Sequence, residues 1–264
     1  MEIKGYLLDL DGTVYLGEKL IPGADRAVAE LRRRGRRIVF LSNKPLHSRA
    51  DYAEKLSRLG VPATVDDVVH SSYVVARYLA GRRPGARVFA IGEPPLLAEL
   101  EAAGLEITSD PERIEFVVAA FDRTCTWGKI NIAFQAIRRG ARFVATNPDP
   151  TCPVEGGEIP DAAGIIAALE ATTGKKVDDV VGKPSPHTVR AALERLELPA
   201  DRVAMVGDRL STDILMARRA GLVGVLTLSG VTRPEELDEA DVKPDHVIAN
   251  LTELPELDMQ LAAE

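Results

Sequence analysis

The sequence predicts an α/β fold in which a parallel-sheet core domain carries a second, inserted α/β domain. Short apolar runs alternate along the chain with segments whose apolar residues recur at helical spacing, which is the pattern of β-α-β units. Polar residues follow the apolar runs near both ends of the chain, whereas the runs in between lack them. We therefore predict a core domain formed by residues 1–74 and 179–264, with residues 75–178 inserted as a second domain.

The composition is that of a globular protein and limits the kind of ligand. Of 264 residues, 45% are hydrophobic and 28% are charged, so the chain can bury a large core. The formal net charge is −7, which argues against a nucleic-acid polymer as a general partner. An anionic substrate would need a local positive site on such a chain.

Cysteine usage and the lack of targeting signals favour the cytoplasm. Cys125 and Cys152 have neither zinc nor redox spacing, so we expect no disulfide framework and no zinc site. The chain runs from Glu2 and Lys4 straight into the first apolar run, which argues against a signal peptide, and no apolar run reaches the length of a membrane span. We expect a cytoplasmic protein that does not bind a membrane.

The first part of the chain predicts two strand–helix pairs in succession. An apolar strand at residues 6–8 is followed by a helix over 24–34, and a strand at 37–41 is followed by a helix over about 48–59. A glycine just past each helix is a typical helix stop. Ligands of such sheets bind beyond the carboxyl ends of the strands, so we expect the polar residues after each strand to face the ligand.

The remaining elements continue this alternation. In the predicted insert, the strands are 87–91, 116–121 and 143–145, and the helices are 95–103, 127–139 and 162–172. In the last part, the elements are a loop at 182–186, a helix over 187–196, a strand at 202–206, a helix opening at 211–213, and strands at 224–228 and 246–249.

Two acids directly follow the first strand and indicate a cation site. Residues two apart on a strand point to the same side, so we expect the carboxylates of Asp9 and Asp11 to meet just past the strand end. Two like charges in a dry crevice repel unless a cation lies between them, and a hard divalent ion such as Mg²⁺ takes oxygen ligands. The alternative, a strand that simply ends in an Asp-Gly turn, stays open on this segment alone.

Four separate segments place polar groups on the predicted ligand side, which favours one shared site over coincidence. The residues are Asp9 and Asp11, Ser42 and Asn43, Lys183, and Asp208 and Asp213. Acids, a lysine and small polar groups suit phosphoryl transfer, whose transition state requires positioning, neutralisation of charge and an in-line nucleophile.

These segments resemble the four ordered motifs of the haloacid dehalogenase superfamily. The matching stretches are Asp9-Leu-Asp-Gly-Thr13, Ser42-Asn43, Lys183-Pro184, and Gly207-Asp208 through Asp213. The sequences around residues 145–149, 182–186 and 207–213 further resemble the p-nitrophenylphosphatase-like subfamily, which includes nucleotide, pyridoxal-phosphate and arabinose-operon sugar phosphatases. The resemblance implies a Rossmann-like parallel-sheet core with an inserted α/β cap between the second and third motifs.

The same resemblance implies roles in catalysis. Asp9 would attack phosphorus and form an aspartyl-phosphate, and Asp11 would serve as acid and then as base. Ser42, Asn43 and Lys183 would bind the phosphoryl oxygens.

The resemblance also implies Mg²⁺ as cofactor. Asp208, the carboxylate of Asp9 and the main-chain oxygen of Asp11 would be ligands, with Asp213 orienting them from behind. Asp213 could instead be only a helix N-terminal charge stabilised by the dipole.

A stretch in the insert is the best candidate for substrate contact. Residues 146–149 follow an apolar strand and resemble a recurrent cap motif of the subfamily. Asn147 and Asp149 could hydrogen-bond substrate hydroxyls, which would favour sugar or polyol phosphates, although the stretch also reads as a turn.

The leading interpretation is an Mg²⁺-dependent phosphomonoester hydrolase acting on a small phosphorylated metabolite. A phosphotransferase or mutase on the same scaffold is one alternative, and a non-catalytic binding protein of the same fold is another. The intact set Asp9, Asp11, Lys183 and Asp208 argues against the binding protein, because binding needs neither nucleophile nor acid. The oligomeric state is open, with a homodimer as one alternative.

Overall fold

The computed structural model describes residues 2–154 and 156–263, which form two compact units. Residues 2–42, 49–69 and 188–263 form the first unit, and residues 43–48 with 70–187, apart from the one outside the described ranges, form the second. The predicted insert, residues 75–178, falls within the second unit. That unit also takes in short stretches on both sides of the insert.

The strands of the described residues are numbered in chain order. They are β1 (Gly5–Asp9), β2 (Tyr15–Leu16), β3 (Lys19–Leu20), β4 (Arg37–Ser42), β5 (Val68–His70), β6 (Arg87–Ile91), β7 (Glu106–Ile107), β8 (Phe116–Ala119), β9 (Arg142–Ala145), β10 (Thr151–Val154), β11 (Gly157–Pro160), β12 (Asp179–Val180), β13 (Val203–Gly207), β14 (Val223–Thr227) and β15 (His246–Ile248).

The α-helices are α1 (Ala24–Arg33), α2 (Arg49–Arg58), α3 (Ser71–Arg82), α4 (Pro94–Ala102), α5 (Trp127–Arg138), α6 (Ala162–Thr173), α7 (Pro186–Leu196), α8 (Leu215–Ala220), α9 (Glu236–Glu239) and α10 (Leu254–Ala263). A π-helical turn, Leu210–Ile214, precedes α8, and short 3₁₀ turns lie at Val65–Asp67, Ala200–Arg202 and Leu251–Glu253. Within the described residues, no helix is both long enough and apolar enough to cross a membrane.

The first unit is built around a sheet in the order β15-β14-β13-β1-β4-β5. The central strand β1 pairs in parallel with β13 and with β4, so Leu8 lies opposite Val206 on one side and Phe40 on the other. The apolar residues of β1 are fully buried, as expected for a parallel strand covered on both faces. This arrangement confirms the predicted parallel-sheet α/β core.

The second unit contains its own parallel sheet, in the order β12-β9-β8-β6-β7. Its core is formed by buried side chains of the strands and of α5 and α6, among them Phe89, Val117, Ile137, Phe143 and Leu169. The strands β10 and β11 form a separate antiparallel hairpin.

Most predicted elements lie within one or two residues of those observed. The strand predicted at 116–121 ends at Ala119, and the helix expected from 211 begins with a π-helical turn. Helix α3 has no amphipathic pattern because its first six residues are all buried. The two-residue strands β2, β3, β7 and β12 are too short to show a periodic pattern.

Candidate active site

Three buried carboxylates meet at one end of the first unit's sheet. Asp9 is the last residue of β1, Asp208 directly follows β13, and Asp213 lies in the π-helical turn. Carboxylate oxygens of the three residues all lie within 4.8 Å of one another, and the residues are 7%, 1% and 0% exposed. Because β1 and β13 are parallel neighbours, their carboxyl ends reach the same edge of the sheet.

Main-chain groups hold two of these acids in place. One oxygen of Asp208, Oδ2, accepts the N–H of Val231 at 2.7 Å, and Oδ2 of Asp213 accepts the N–H of Arg209 at 3.1 Å. The negative charges of three buried carboxylates repel one another, and a bound cation would offset this repulsion. The donor set consists of hard oxygens only, which fits Mg²⁺.

Asp11 lies outside this cluster, which corrects one step of the sequence reasoning. Strand β1 ends at Asp9, so the side-to-side alternation of a strand does not extend to Asp11. Instead Asp11 is partly buried and forms a main-chain bridge with Tyr15. Burial, and then the charge of Asp11, raise the pKa of Tyr15 well above its ordinary value, so that phenol stays neutral. A metal contact through the main-chain oxygen of Asp11 stays a prediction.

Ser42 lies at the same sheet edge as Asp9. It is the buried last residue of β4, and the residue before it, Leu41, pairs with Asp9. Its predicted contact with a phosphoryl oxygen stays a prediction.

In the second unit, Asn43 and Lys183 are joined by a closed pair of hydrogen bonds. The side-chain Nδ2 of Asn43 donates to the main-chain oxygen of Lys183 at 3.1 Å, and the main-chain N–H of Lys183 donates to Oδ1 of Asn43 at 2.8 Å. The same Nδ2 donates to Oδ2 of Asp149 at 2.8 Å. A phosphate contact by Asn43 would therefore use its main-chain N–H. Lys183 is only 4% exposed.

Asn147 and Asp149, predicted to contact substrate hydroxyls, belong to a buried network. The fully buried Asn147 donates one amide hydrogen to Asp149 at 2.9 Å and the other to Asp161 at 3.0 Å, and it accepts from the Thr146 hydroxyl at 2.8 Å. Burial raises the pKa of Asp161. Because both amide hydrogens of Asn147 are donated within the chain and the residue is 0% exposed, a direct hydroxyl contact by Asn147 does not fit this geometry. The contact by Asp149 stays a prediction.

Sequence reasoning missed the loop after β14. The Ser229 hydroxyl donates to the main-chain oxygen of Gly12 at 2.7 Å, and Val231 holds Asp208. Between them Gly230 packs against Asp208, and a methyl group there would lie 2.6 Å from Cγ of Asp208. A signal was present, because Ser229-Gly230 directly follows a predicted strand just as the other site segments do.

Comparison with known families gives two matches. The model of the haloacid dehalogenase-like hydrolases matches residues 6–106, and a related haloacid dehalogenase hydrolase-like model matches residues 180–254. Together these matches include every predicted site residue except Asn147 and Asp149.

Known proteins resemble the chain over nearly its whole length. Sugar-phosphatase AraL of Bacillus subtilis is 38% identical over 253 residues, which cover 96% of this chain and 92% of AraL. The 5'-nucleotidase YutF of the same organism is 36% identical over 251 residues, which cover 95% of this chain and 96% of YutF.

Solved structures resemble it as closely. A 4-nitrophenylphosphatase from Thermotoga maritima has a TM-score of 0.92 at 40% identity, with 96% of this chain and 97% of that chain covered. A glycerol phosphate phosphatase from Mycobacterium tuberculosis in complex with magnesium has a TM-score of 0.89 at 37% identity, with 96% of this chain and 76% of that chain covered.

Proposed function

Because the chain belongs to the haloacid dehalogenase-like hydrolases and is a phosphatase of that family, we propose that it hydrolyses a small sugar or polyol phosphate with Mg²⁺ as cofactor. The observation that carries the proposal is the cluster of Asp9, Asp208 and Asp213, whose buried oxygens converge within 4.8 Å. Supporting the substrate class, relatives named a sugar phosphatase and a glycerol phosphate phosphatase are 38% and 37% identical to this chain.

The first chemical step transfers the phosphoryl group to the protein. A carboxylate oxygen of Asp9 attacks phosphorus, and the bond from phosphorus to the ester oxygen breaks. Asp11 donates a proton to the leaving oxygen, so the alcohol departs neutral. An aspartyl-phosphate on Asp9 results.

The second step returns the protein to its starting state. Asp11, now a carboxylate, takes a proton from a water molecule as that water attacks phosphorus. The bond between Asp9 and phosphorus breaks, inorganic phosphate leaves, and Asp11 is again protonated for the next cycle. With a sugar hydroxyl in place of water, the same residues would catalyse phosphotransfer.

The site residues divide the remaining tasks. Asp9 and Asp208, with the main-chain oxygen of Asp11, would hold Mg²⁺, which would supply positive charge against the charge that develops on the phosphoryl group. Asp213 supports this set through its contact with the main chain at Arg209. Lys183 supplies a compact positive charge for the phosphoryl oxygens.

Further binding groups come from the end of β4. Ser42 offers its hydroxyl and Asn43 its main-chain N–H to the phosphoryl oxygens. These groups bind what all phosphate esters share, so they cannot distinguish leaving groups. We assign that task to the second unit, within residues 75–178, and place the enzyme in the cytoplasm.

The proposal is tested with a panel of phosphate esters. The panel contains sugar phosphates, polyol phosphates, nucleoside 5'-monophosphates and p-nitrophenyl phosphate, and release of inorganic phosphate is measured with no acceptor alcohol present. Hydrolysis of sugar or polyol phosphates with the highest kcat/KM supports the proposal. A preference for nucleotides overturns the substrate class. Phosphorylation of an added acceptor sugar, with no release of inorganic phosphate in its absence, favours a transferase.

The matched control for the panel is Asp9→Asn. This change keeps the size of the side chain but removes the nucleophile. The variant is purified in parallel with the wild type, and a wild-type rate far above that of the variant assigns the measured phosphate release to the site that contains Asp9.

A further inference from the structure

Asn43 binds the main chain of Lys183 through both ends of its side-chain amide. The amide oxygen accepts from the N–H of Lys183, and the amide nitrogen donates to the oxygen of the same residue. A side-chain amide that pairs with a residue in this way fixes the position of that residue on both sides of its Cα. We call these two hydrogen bonds the Asn43–Lys183 clamp.

Asp149 and the main chain of Lys183 together fix the orientation of the Asn43 amide. Its carboxylate only accepts hydrogen bonds, so the group 2.8 Å away must be the NH₂ of Asn43. With the NH₂ held there, the amide oxygen faces the N–H of Lys183. If the amide turned over, two acceptors would meet at Asp149 and two donors at the N–H of Lys183.

Asp149 accepts further hydrogen bonds from other residues of the second unit. Its Oδ2 also accepts from Asn147, whose second amide hydrogen goes to Asp161, the N-cap residue of α6. The main-chain oxygen of Asp149 accepts the N–H of Ala163 at 3.1 Å. A continuous set of hydrogen bonds therefore links the start of α6 to Lys183.

The clamp is closely packed. Gly182 precedes Lys183, and a methyl group on Gly182 would lie 2.7 Å from Oδ1 of Asn43 and would overlap the main-chain oxygen of Thr146. Asn147, Asp149 and Lys183 are at most 8% exposed, and Asn43 is partly buried, so few water molecules can reach these groups to replace a lost hydrogen bond.

We propose that Asp149 is a positioning residue for phosphate binding, because its carboxylate orients the amide of Asn43, which in turn fixes the main chain of Lys183. The inference rests on the proposed function, in which Lys183 binds the phosphoryl group. In this inference Asp149 supports binding of the phosphoryl group, which all esters share. Its loss should therefore lower kcat/KM for every substrate by the same factor.

The test compares Asp149→Ala with Asp149→Asn and with the control Asp178→Ala. Asp178 is another carboxylate of the same unit that accepts a main-chain N–H, from Phe143. The affinity for inorganic phosphate is measured by titration calorimetry with saturating Mg²⁺. KM and kcat are measured for p-nitrophenyl phosphate, which has no hydroxyl groups, and for the best sugar or polyol phosphate.

The expected result for Asp149→Ala is about a tenfold weaker affinity for inorganic phosphate, as befits the loss of a hydrogen bond to a charged group. Its kcat/KM falls by the same factor for both esters. Asp149→Asn keeps an oxygen that can accept from both amides and stays close to the wild type, as does Asp178→Ala. If the alanine variant does not fold, Asp149→Ser, whose side chain is too short to reach Asn43, provides the same readout.

Two results would overturn the inference. One is an unchanged phosphate affinity and KM with a lower kcat, which indicates only a smaller folded fraction. The other is a fall in kcat/KM confined to the sugar or polyol ester, which indicates a hydroxyl contact by Asp149. Failure of the proposed function is separate, because it shows as a wild type that lacks activity on sugar and polyol phosphates while it still binds inorganic phosphate.

Discussion

Gly230 packs against Asp208, the residue that we propose as a metal ligand, and replacing Gly230 with alanine should weaken Mg²⁺ binding. The added methyl carbon would lie 2.6 Å from Cγ of Asp208 and would overlap its Oδ2. The Asp208 carboxylate must therefore move. This movement breaks the hydrogen bond that its Oδ2 accepts from the N–H of Val231 at 2.7 Å.

The size of the effect follows from that hydrogen bond. A hydrogen bond to a charged group contributes about 1.5–3 kcal/mol, which corresponds to roughly a 10- to 150-fold change in an equilibrium constant. We therefore expect the Mg²⁺ concentration that half-saturates phosphate release to rise by at least about tenfold in Gly230→Ala. At saturating Mg²⁺ much of the activity should return, because the residues that carry the chemistry are unchanged.

The assay is the rate of phosphate release as a function of Mg²⁺, with the rise in melting temperature on adding Mg²⁺ as a second readout. Gly81→Ala is the matched control, because Gly81 lies exposed in α3 with no atom within 4 Å of an added methyl carbon. It should leave the Mg²⁺ dependence unchanged and stabilise the fold by up to about 1 kcal/mol through helix propensity. A half-saturating Mg²⁺ concentration in folded Gly230→Ala within twofold of wild type would refute the reasoning.

Three further predictions concern the chemistry. Asp9→Asn should have no turnover while its melting temperature stays near that of the wild type, and phosphate release by a clean preparation would refute the nucleophile. Asp11→Asn should lose roughly 10²- to 10⁴-fold in kcat on alkyl phosphates, and retention of more than a tenth of the rate would show that another group moves the proton. A chelator should stop phosphate release, and Mg²⁺ should restore it. Ca²⁺ should not restore it, because Ca²⁺ takes six to eight ligands and can bind both oxygens of Asp9. Full activity in excess chelator would exclude the metal from the mechanism.

The acidic cluster was predictable from the sequence because parallel strands bring their carboxyl ends to one edge. Asp9 and Asp208 each follow an apolar run, and the observed pairing of β1 with β13 brings them together. The side chain of Asp11 could not be placed in this way. The chain turns one residue beyond strand β1, and the alternation of side chains along a strand no longer predicts where they point.

The network in the second unit could not be predicted at the level of single contacts. Asn43 carries a short polar side chain at a strand tip, and nothing local to it indicates that its amide pairs with the main chain of a residue 140 positions away. The hydrogen bond from the N–H of Val231 to Asp208 could not be predicted either, because nearly every residue has a main-chain N–H and the sequence does not show which ones bind a side chain. Helix α3 was missed because its first six residues are all buried, so its first turns show no apolar stripe.

The most direct test of the account is whether Asp9 carries the phosphoryl group during turnover. Asp11→Asn is mixed with p-nitrophenyl phosphate and Mg²⁺, because nitrophenolate leaves without help from an acid whereas hydrolysis of the aspartyl-phosphate needs the base. We predict a rapid burst of one nitrophenolate per active site, and acid-quenched protein should carry a hydroxylamine-sensitive phosphoryl group on the peptide that contains Asp9. Nitrophenolate release without a burst and without a phosphoryl group on the protein would contradict the account. A phosphoryl group on any residue other than Asp9 would contradict it as well.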